Sequence, residues 1–145
     1  MIVLPDANVL IALGWGQHLH HVAANEWFAH AAGSGWATCL LTQSAFLRLS
    51  LNAKVVPETI DFDTARRVLA AMTSHTTHEF VEHTPSMIGD EFAPIAKKIL
   101  GYRQIADATL LHLARFHGMK LATFDASITA ICPWPENLEV IKAVI

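Results

Sequence analysis

Apolar and polar positions along this chain follow two periods, and the switches between them lay out its elements. Ile2, Val3 and Leu4 form a short apolar run with β-branched members, the pattern of a strand buried on both faces. Pro5 lacks a ladder donor and marks the strand's end. Val9, Leu10 and Leu13 then recur at helical spacing until Gly14-Trp15-Gly16 breaks them. His21 to Ala32 reads as a helix with Ala24, Trp27, Phe28 and Ala31 on one face, closed by Gly33-Ser34-Gly35. Trp36 to Cys39 predicts a short strand. Thr42 is the expected N-cap of a helix that turns Ala45, Phe46 and Leu49 inward. Val55-Val56-Pro57 reads as loop. Asp61 or Asp63 caps a helix through Met72, with Ala65, Val68, Leu69 and Met72 apolar. His78 to Glu82 predicts a short strand, and Asp90 to Leu100 a helix interrupted near Pro94 and ended by Gly101. Gln104 to His117 carries the strongest helical pattern, Ile105, Ala108, Leu111 and Ala114 on one face, with Gly118 as its C′ residue. Lys120 to Phe124 is the next strand, Asp125 follows directly, and Leu138 to Ile141 is the last.

Strand and helix patterns alternate, which predicts an α/β fold with a parallel sheet and helices on both faces. The 145 residues fit one domain, and no repeat, low-complexity tract or linker divides 1–145. Hydrophobic residues make up 52% and charged residues 16%, the balance of a chain with a buried core rather than a disordered one. No apolar run reaches the roughly 18 residues of a membrane span, and no basic-then-apolar signal pattern follows Met1, so a cytoplasmic location is expected. Cys39 and Cys132 form no CxxC pair and read as reduced thiols. A net charge of −3 excludes a nonspecific nucleic-acid coat. It leaves room for a nuclease, whose metal site needs clustered acids.

Two predicted strands end in an aspartate, Leu4-Pro5-Asp6 and Ala122-Thr123-Phe124-Asp125. In an open parallel sheet, sites form beyond the carboxyl ends of strands. Asp107 lies near the start of the helix that feeds the Lys120 strand, so it reaches the same edge. A helix N-cap is the alternative reading of Asp6. Three carboxylates brought together resist ionising together, and a divalent cation resolves the conflict. Hard oxygen donors suit Mg²⁺ or Mn²⁺.

Asp6-Ala-Asn-Val-Leu10, Thr42-Gln-Ser-Ala-Phe-Leu-Arg48, Arg103-Gln-Ile-Ala-Asp107-Ala and Ala122-Thr-Phe-Asp125 resemble, in order and spacing, the PIN-domain ribonucleases. The nearest likeness is to the VapC toxins of bacterial type II toxin–antitoxin pairs, and His21 to Trp27, read as H-x-x-A-x-x-W, is similar to that subgroup. The resemblance covers nearly the whole chain. It implies a three-layer α/β/α sandwich with a central, mainly parallel sheet, and metal-dependent endonucleolytic cleavage of RNA. It also implies a cognate antitoxin that covers the site, and a homodimer. Asp6, Asp107 and Asp125 match three of the family's four acids and would be the catalytic, Mg²⁺- or Mn²⁺-holding residues. The fourth falls on Gln43, which brings a carbonyl oxygen and no charge. With Gln43 there, a first metal would sit on the aspartates and a second would bind weakly, unless Asp90 or Glu91 compensates; a glutamate restored at 43 would then tighten Mg²⁺.

Asn8, Thr123 and Ser127 are candidates for hydrogen bonds to the acids, against plain turn and strand roles. Arg48 and Arg103, each beside a motif residue, are candidates for RNA phosphate contacts. The His18/His20/His21 and His75/His78/His83 groups lack the Cys/His pairing of a structural zinc site. The four tryptophans read as packing, with base stacking open to Trp15 and Trp134. Two rivals stand beside the nuclease. One is a catalytically weakened module, with Gln43 in place of an acid, acting through RNA or antitoxin binding. The other is a phosphatase of the haloacid dehalogenase type, which wants a second aspartate where Asn8 stands.

Overall fold

The computed structural model describes residues 1–143. In chain order the elements are β1 (Val3–Pro5), α1 (Ala7–Gly14), α2 (His21–Ala31), β2 (Trp36–Cys39), α3 (Leu40–Ser50), α4 (Phe62–Thr73), β3 (His78–Val81), α5 (Ala93–Ala96), α6 (Ile105–His117), β4 (Lys120–Thr123) and β5 (Leu138–Val140). The strands form one sheet in the order β3-β2-β1-β4-β5, every pair parallel. β1 is central and buried throughout, as its uninterrupted apolar run requires.

Successive side chains of a strand point to opposite faces, and the two faces build two cores. Val3 and Trp36 pack with Leu10, Ile11, Phe46 and Leu69, so α1, α3 and α4 cover one face, with Trp27 and Phe28 of α2 alongside. Leu4, Ala37 and Leu121 pack with Ile95, Leu111 and Ala114, so α5 and α6 cover the other. The result is the expected α/β/α sandwich. From β1 the chain works outward through β2 to β3, then returns to β1's other side for β4 and β5. The switch therefore falls between β1 and β4, the place where open parallel sheets form ligand crevices.

Most predicted elements lie within a residue or two of their observed bounds. Asp61, not Asp63, caps α4, accepting from the Thr64 N–H at 2.7 Å, while Asp63 pairs with Arg67 one turn on. Gly118 ends α6 in the left-handed region at φ 66°, a conformation glycine adopts without strain. Two expectations are corrected. The N-cap of α3 is Cys39; Thr42 sits at the third helical position and its hydroxyl accepts the Cys39 N–H at 3.0 Å. The Asp90–Leu100 helix shrinks to a 3₁₀ turn at Asp90–Phe92 and the single turn of α5, because Pro94 suits only a helix start and only Phe92 and Ile95 are buried anchors. Both cysteines are free. Among the described residues no helix is long and apolar enough to cross a membrane.

Phe46 is fully buried and lies parallel to the Trp15 ring at 6.4 Å. Phe46→Ala is expected to cost about 3–5 kcal/mol in urea unfolding, since α1, α3 and α4 meet there and cannot collapse onto the void. A loss below about 1 kcal/mol would show that this layer is not tightly packed.

Candidate active site

Asp6 leaves β1 with its backbone N–H donating to Ala122 O at 2.9 Å, one last rung after the Pro5–Ala122 pair. Its Oδ1 accepts from the Val9 N–H at 3.0 Å, so the same carboxylate caps α1. The capping reading of Asp6 therefore holds, and the residue is only 5% exposed. Thr123, the last residue of β4, is completely buried. Its hydroxyl hydrogen-bonds the Asp6 carboxylate and also accepts the Asp125 N–H at 3.0 Å, which ties the two acids together. Asp125 caps the 3₁₀ turn Ala126–Ile131, its Oδ1 taking the Ser127 N–H at 2.9 Å and the Ser127 hydroxyl at 2.6 Å. Asp107 stands in the first turn of α6. A cleft of about 370 Å³ opens between α1, α3 and α6, with Asp6, Asn8, Arg48 and Asp107 in its lining.

Burial raises the Asp6 carboxyl above its ordinary value, the hydrogen bonds from Thr123 and Val9 pull it back, and the Asp125 charge adds to the rise. Asp107 is pushed up to about 6, first by burial and then by the charges of Asp6 and Asp125. The three acids thus share one negative field. The ion pairs among the described residues, Arg67–Asp63 and Arg115–Glu136, lie elsewhere and leave that field unbalanced. An all-carboxylate donor set that repels itself fits a hard divalent cation. As placed, no three His, Cys, Asp or Glu side chains of the described residues stand close enough to hold one ion, so the acids form a shared field rather than a closed cage.

The structure does not bring every candidate to this cleft. Gln43 turns away: its amide donates to Thr38 Oγ1 at 3.0 Å, which in turn hydrogen-bonds His78 Nε2 at 2.8 Å, and it lines a separate depression with Leu47 and Phe62. Arg103 is carried outward by the 3₁₀ turn Tyr102–Gln104, its Nε donating to the Tyr102 hydroxyl at 3.3 Å. Asp90 and Glu91 open the turn before α5 and do not line the cleft. Arg48 does. Trp15 is a packing residue that donates to Ser50 Oγ at 2.9 Å, and Trp134 lies under the Arg115 guanidinium at 4.5 Å. Thr42, read from the sequence as an N-cap, and Thr109, not singled out there, also line the cleft. Thr109 is visible there only as a polar position two residues after Asp107 on an otherwise apolar helix face.

Residues 3–132 match the PIN domain family. Among curated proteins the chain is 46% identical over 127 residues to ribonuclease VapC38 of Mycobacterium tuberculosis, covering 88% of this chain and 87% of that protein. It is 39% identical to ribonuclease VapC39 of the same organism, covering 88% and 91%. Among solved structures it resembles the crystal structure of M. tuberculosis VapC20, a sarcin–ricin-loop-cleaving toxin, with a TM-score of 0.61 at 17% identity over 88% of this chain and 93% of that one. It also resembles VapBC2 of Rickettsia felis bound to a promoter DNA fragment, with a TM-score of 0.59 at 13% identity, covering 98% and 100%. At those identities the two structures speak for the fold alone.

The raised pKa of Asp107 fixes a sign for stability without metal. Between the ordinary carboxylate value and about 6 the folded protein holds a proton that the unfolded chain releases, so stability falls as pH rises through that window and stays low above it. In EDTA, melting temperature is expected to drop from pH 4.5 to pH 7. Asp107→Asn is expected to flatten that drop and gain about 1 kcal/mol at pH 7, a figure discounted for the group's partial exposure. A variant that melts with the wild-type pH profile would place the repulsion elsewhere. Because Gln43 points away, Gln43→Glu is expected to leave Mg²⁺ titrations unchanged; tighter binding would return that side chain to the cleft.

Proposed function

Because the chain belongs to the PIN-domain family, with curated VapC ribonucleases matching most of its length, we propose that it is a metal-dependent endoribonuclease and the toxin of a toxin–antitoxin pair. The observation that carries the reading is the set of three mutually repelling, unpaired carboxylates at the switch between β1 and β4. Asp6, Asp107 and Asp125 would hold Mg²⁺ or Mn²⁺. When bound, the ion supplies Lewis-acid chemistry, lowering the pKa of water and neutralising phosphate charge.

The chain's own residues do the rest. The Val9 N–H and the Thr123 hydroxyl fix the Asp6 carboxylate and oppose the rise in its pKa that burial causes. Thr123 and Ser127 orient Asp125 in the same way. Asn8, exposed at the mouth, offers an amide to an acid or to water. Arg48 supplies the cation that meets an RNA phosphate.

An antitoxin partner belongs to this reading, in line with the VapBC2 neighbour; a homodimer belongs to it too, for which Leu40, Leu51 and Phe62 leave apolar surface around α3. With RNA as its substrate, a cytoplasmic location goes with this reading.

With Mg²⁺ or Mn²⁺ the wild type is expected to cut RNA internally, EDTA to stop it, and Asp6→Asn, Asp107→Asn or Asp125→Asn to slow it roughly a hundredfold or more. Arg48→Ala is expected to weaken RNA binding across sequences and lower its salt slope by about one. Equal cutting by wild type and Asp6→Asn would overturn the assignment. Binding without cutting in either would favour the weakened module.

A further inference from the structure

A second, larger groove of about 500 Å³ adjoins the carboxylate cleft. Leu41 and Thr109 line both, so the two share a border. Its lining is mainly apolar, from Leu41, Phe80, Val81, Met87 and Leu113. Phe80 is 43% exposed at the edge of the sheet. No Lys or Arg lines the groove, and Glu82 is its one acidic group. The wall that carries Glu82 and Met87 is held in place from α6. His117 donates its Nε2–H to His83 O at 2.6 Å, and His112 donates its Nε2–H to Ser86 O at 2.9 Å. Thr109 already donates its hydroxyl to Ile105 O at 2.7 Å, which leaves its oxygen as an acceptor. The groove therefore offers apolar surface and acceptors, and repels a second anion.

Resting on the ribonuclease reading, we propose that this groove is a base-binding subsite that takes the nucleobase next to the scissile phosphate, guanine by preference. With the phosphate held at Arg48 and the carboxylates, the next base along the strand lies within reach across the border at Leu41 and Thr109. The acidic bias admits the neutral base and rejects the backbone. Single-stranded RNA is read by unstacked bases placed on apolar and aromatic side chains, and this lining provides such faces. A half-apolar pocket with few polar groups draws its selectivity from those groups. Beside Thr84, Thr109 and His112, the one carboxylate among them is Glu82. Guanine alone presents two adjacent donors, N1–H and N2–H, to the two oxygens of a carboxylate. Adenine and cytosine set a ring acceptor beside the amino group, and uracil flanks its N–H with two carbonyls, so one carboxylate oxygen would face a lone pair.

Met87 is a reporter inside the groove. In the full-length chain with ¹³C-labelled methionine methyls, 5′-GMP without metal is expected to move the Met87 signal, identified by its loss in Met87→Leu. AMP, CMP and UMP are expected to bind about tenfold more weakly, and Glu82→Gln to weaken 5′-GMP about tenfold, as loss of a charged hydrogen bond predicts. Cleavage mapping on mixed-sequence RNA is expected to show cuts beside guanine in the wild type and loss of that preference in Glu82→Gln. A Met87 signal unmoved by all four nucleotides, or equal 5′-GMP affinity in Glu82→Gln, overturns the proposal. A Met87 signal moved by a co-purified antitoxin and by no nucleotide assigns the groove to a protein partner and overturns it too. The methyl titration needs no cleavage, so an inactive wild type would sink the ribonuclease reading while the subsite is judged on its own signal.

Discussion

Asp6 donates its backbone N–H to Ala122 O across 2.9 Å, and the placement of the carboxylates follows from that rung. The parallel register sets Pro5 opposite Ala122, so the chain leaves β1 and β4 at one rim. Asp6 then faces the end of β4, where the Thr123 hydroxyl reaches it, and Asp125 follows two residues later. A slip of one residue in this pairing would turn Thr123 to the opposite face of the sheet and break the link between the two acids. The apolar residues on either side guard against the slip, because Val3 and Leu4 belong to different cores and neither tolerates exchange.

The rim is costly by construction. Burial and neighbouring charge both oppose ionisation of Asp6 and Asp107. The protein limits the cost where it can. Asp6 takes a helix N-terminus and a hydroxyl as partners, and Asp125 takes a serine twice. Asp107 has no such relief among the described contacts and carries a pKa near 6. A locally unfavourable charge held in place by a well-packed sheet is the usual signature of a functional site rather than of a stabilising feature.

Helix α3 decides which side chains reach that rim. Leu41, Thr42, Ala45 and Leu49 border the cleft, Leu40, Gln43, Ser44 and Leu47 border the depression on the other side, and Arg48 lies between and borders both. The helix begins at Leu40 with Cys39 as its cap, and its phase is set by Phe46, which must enter the core. Once Phe46 is inward, a helix of 3.6 residues per turn places Gln43 beside Thr38 rather than beside the acids. The start of α3 also forms the shared border of cleft and groove, so one short helix end shapes both.

The alternation of apolar runs and helical periods determined the element order, the parallel sheet and the sandwich, because burial on both faces of β1 leaves few other arrangements. It also placed Asp6 and Asp125 at one rim, since the ends of neighbouring parallel strands share it whatever the loops do. The sequence was silent on helical phase and turn direction. Gln43 and Arg103 sit within motifs, yet one faces Thr38 and the other the tip of an exposed turn. Nor did it show Thr123 joining two acids, or the groove behind Leu41, because both depend on residues far apart in the chain meeting at fixed distances. Periodicity reports which face of an element is buried. Which neighbours that face meets is settled only when the layers pack.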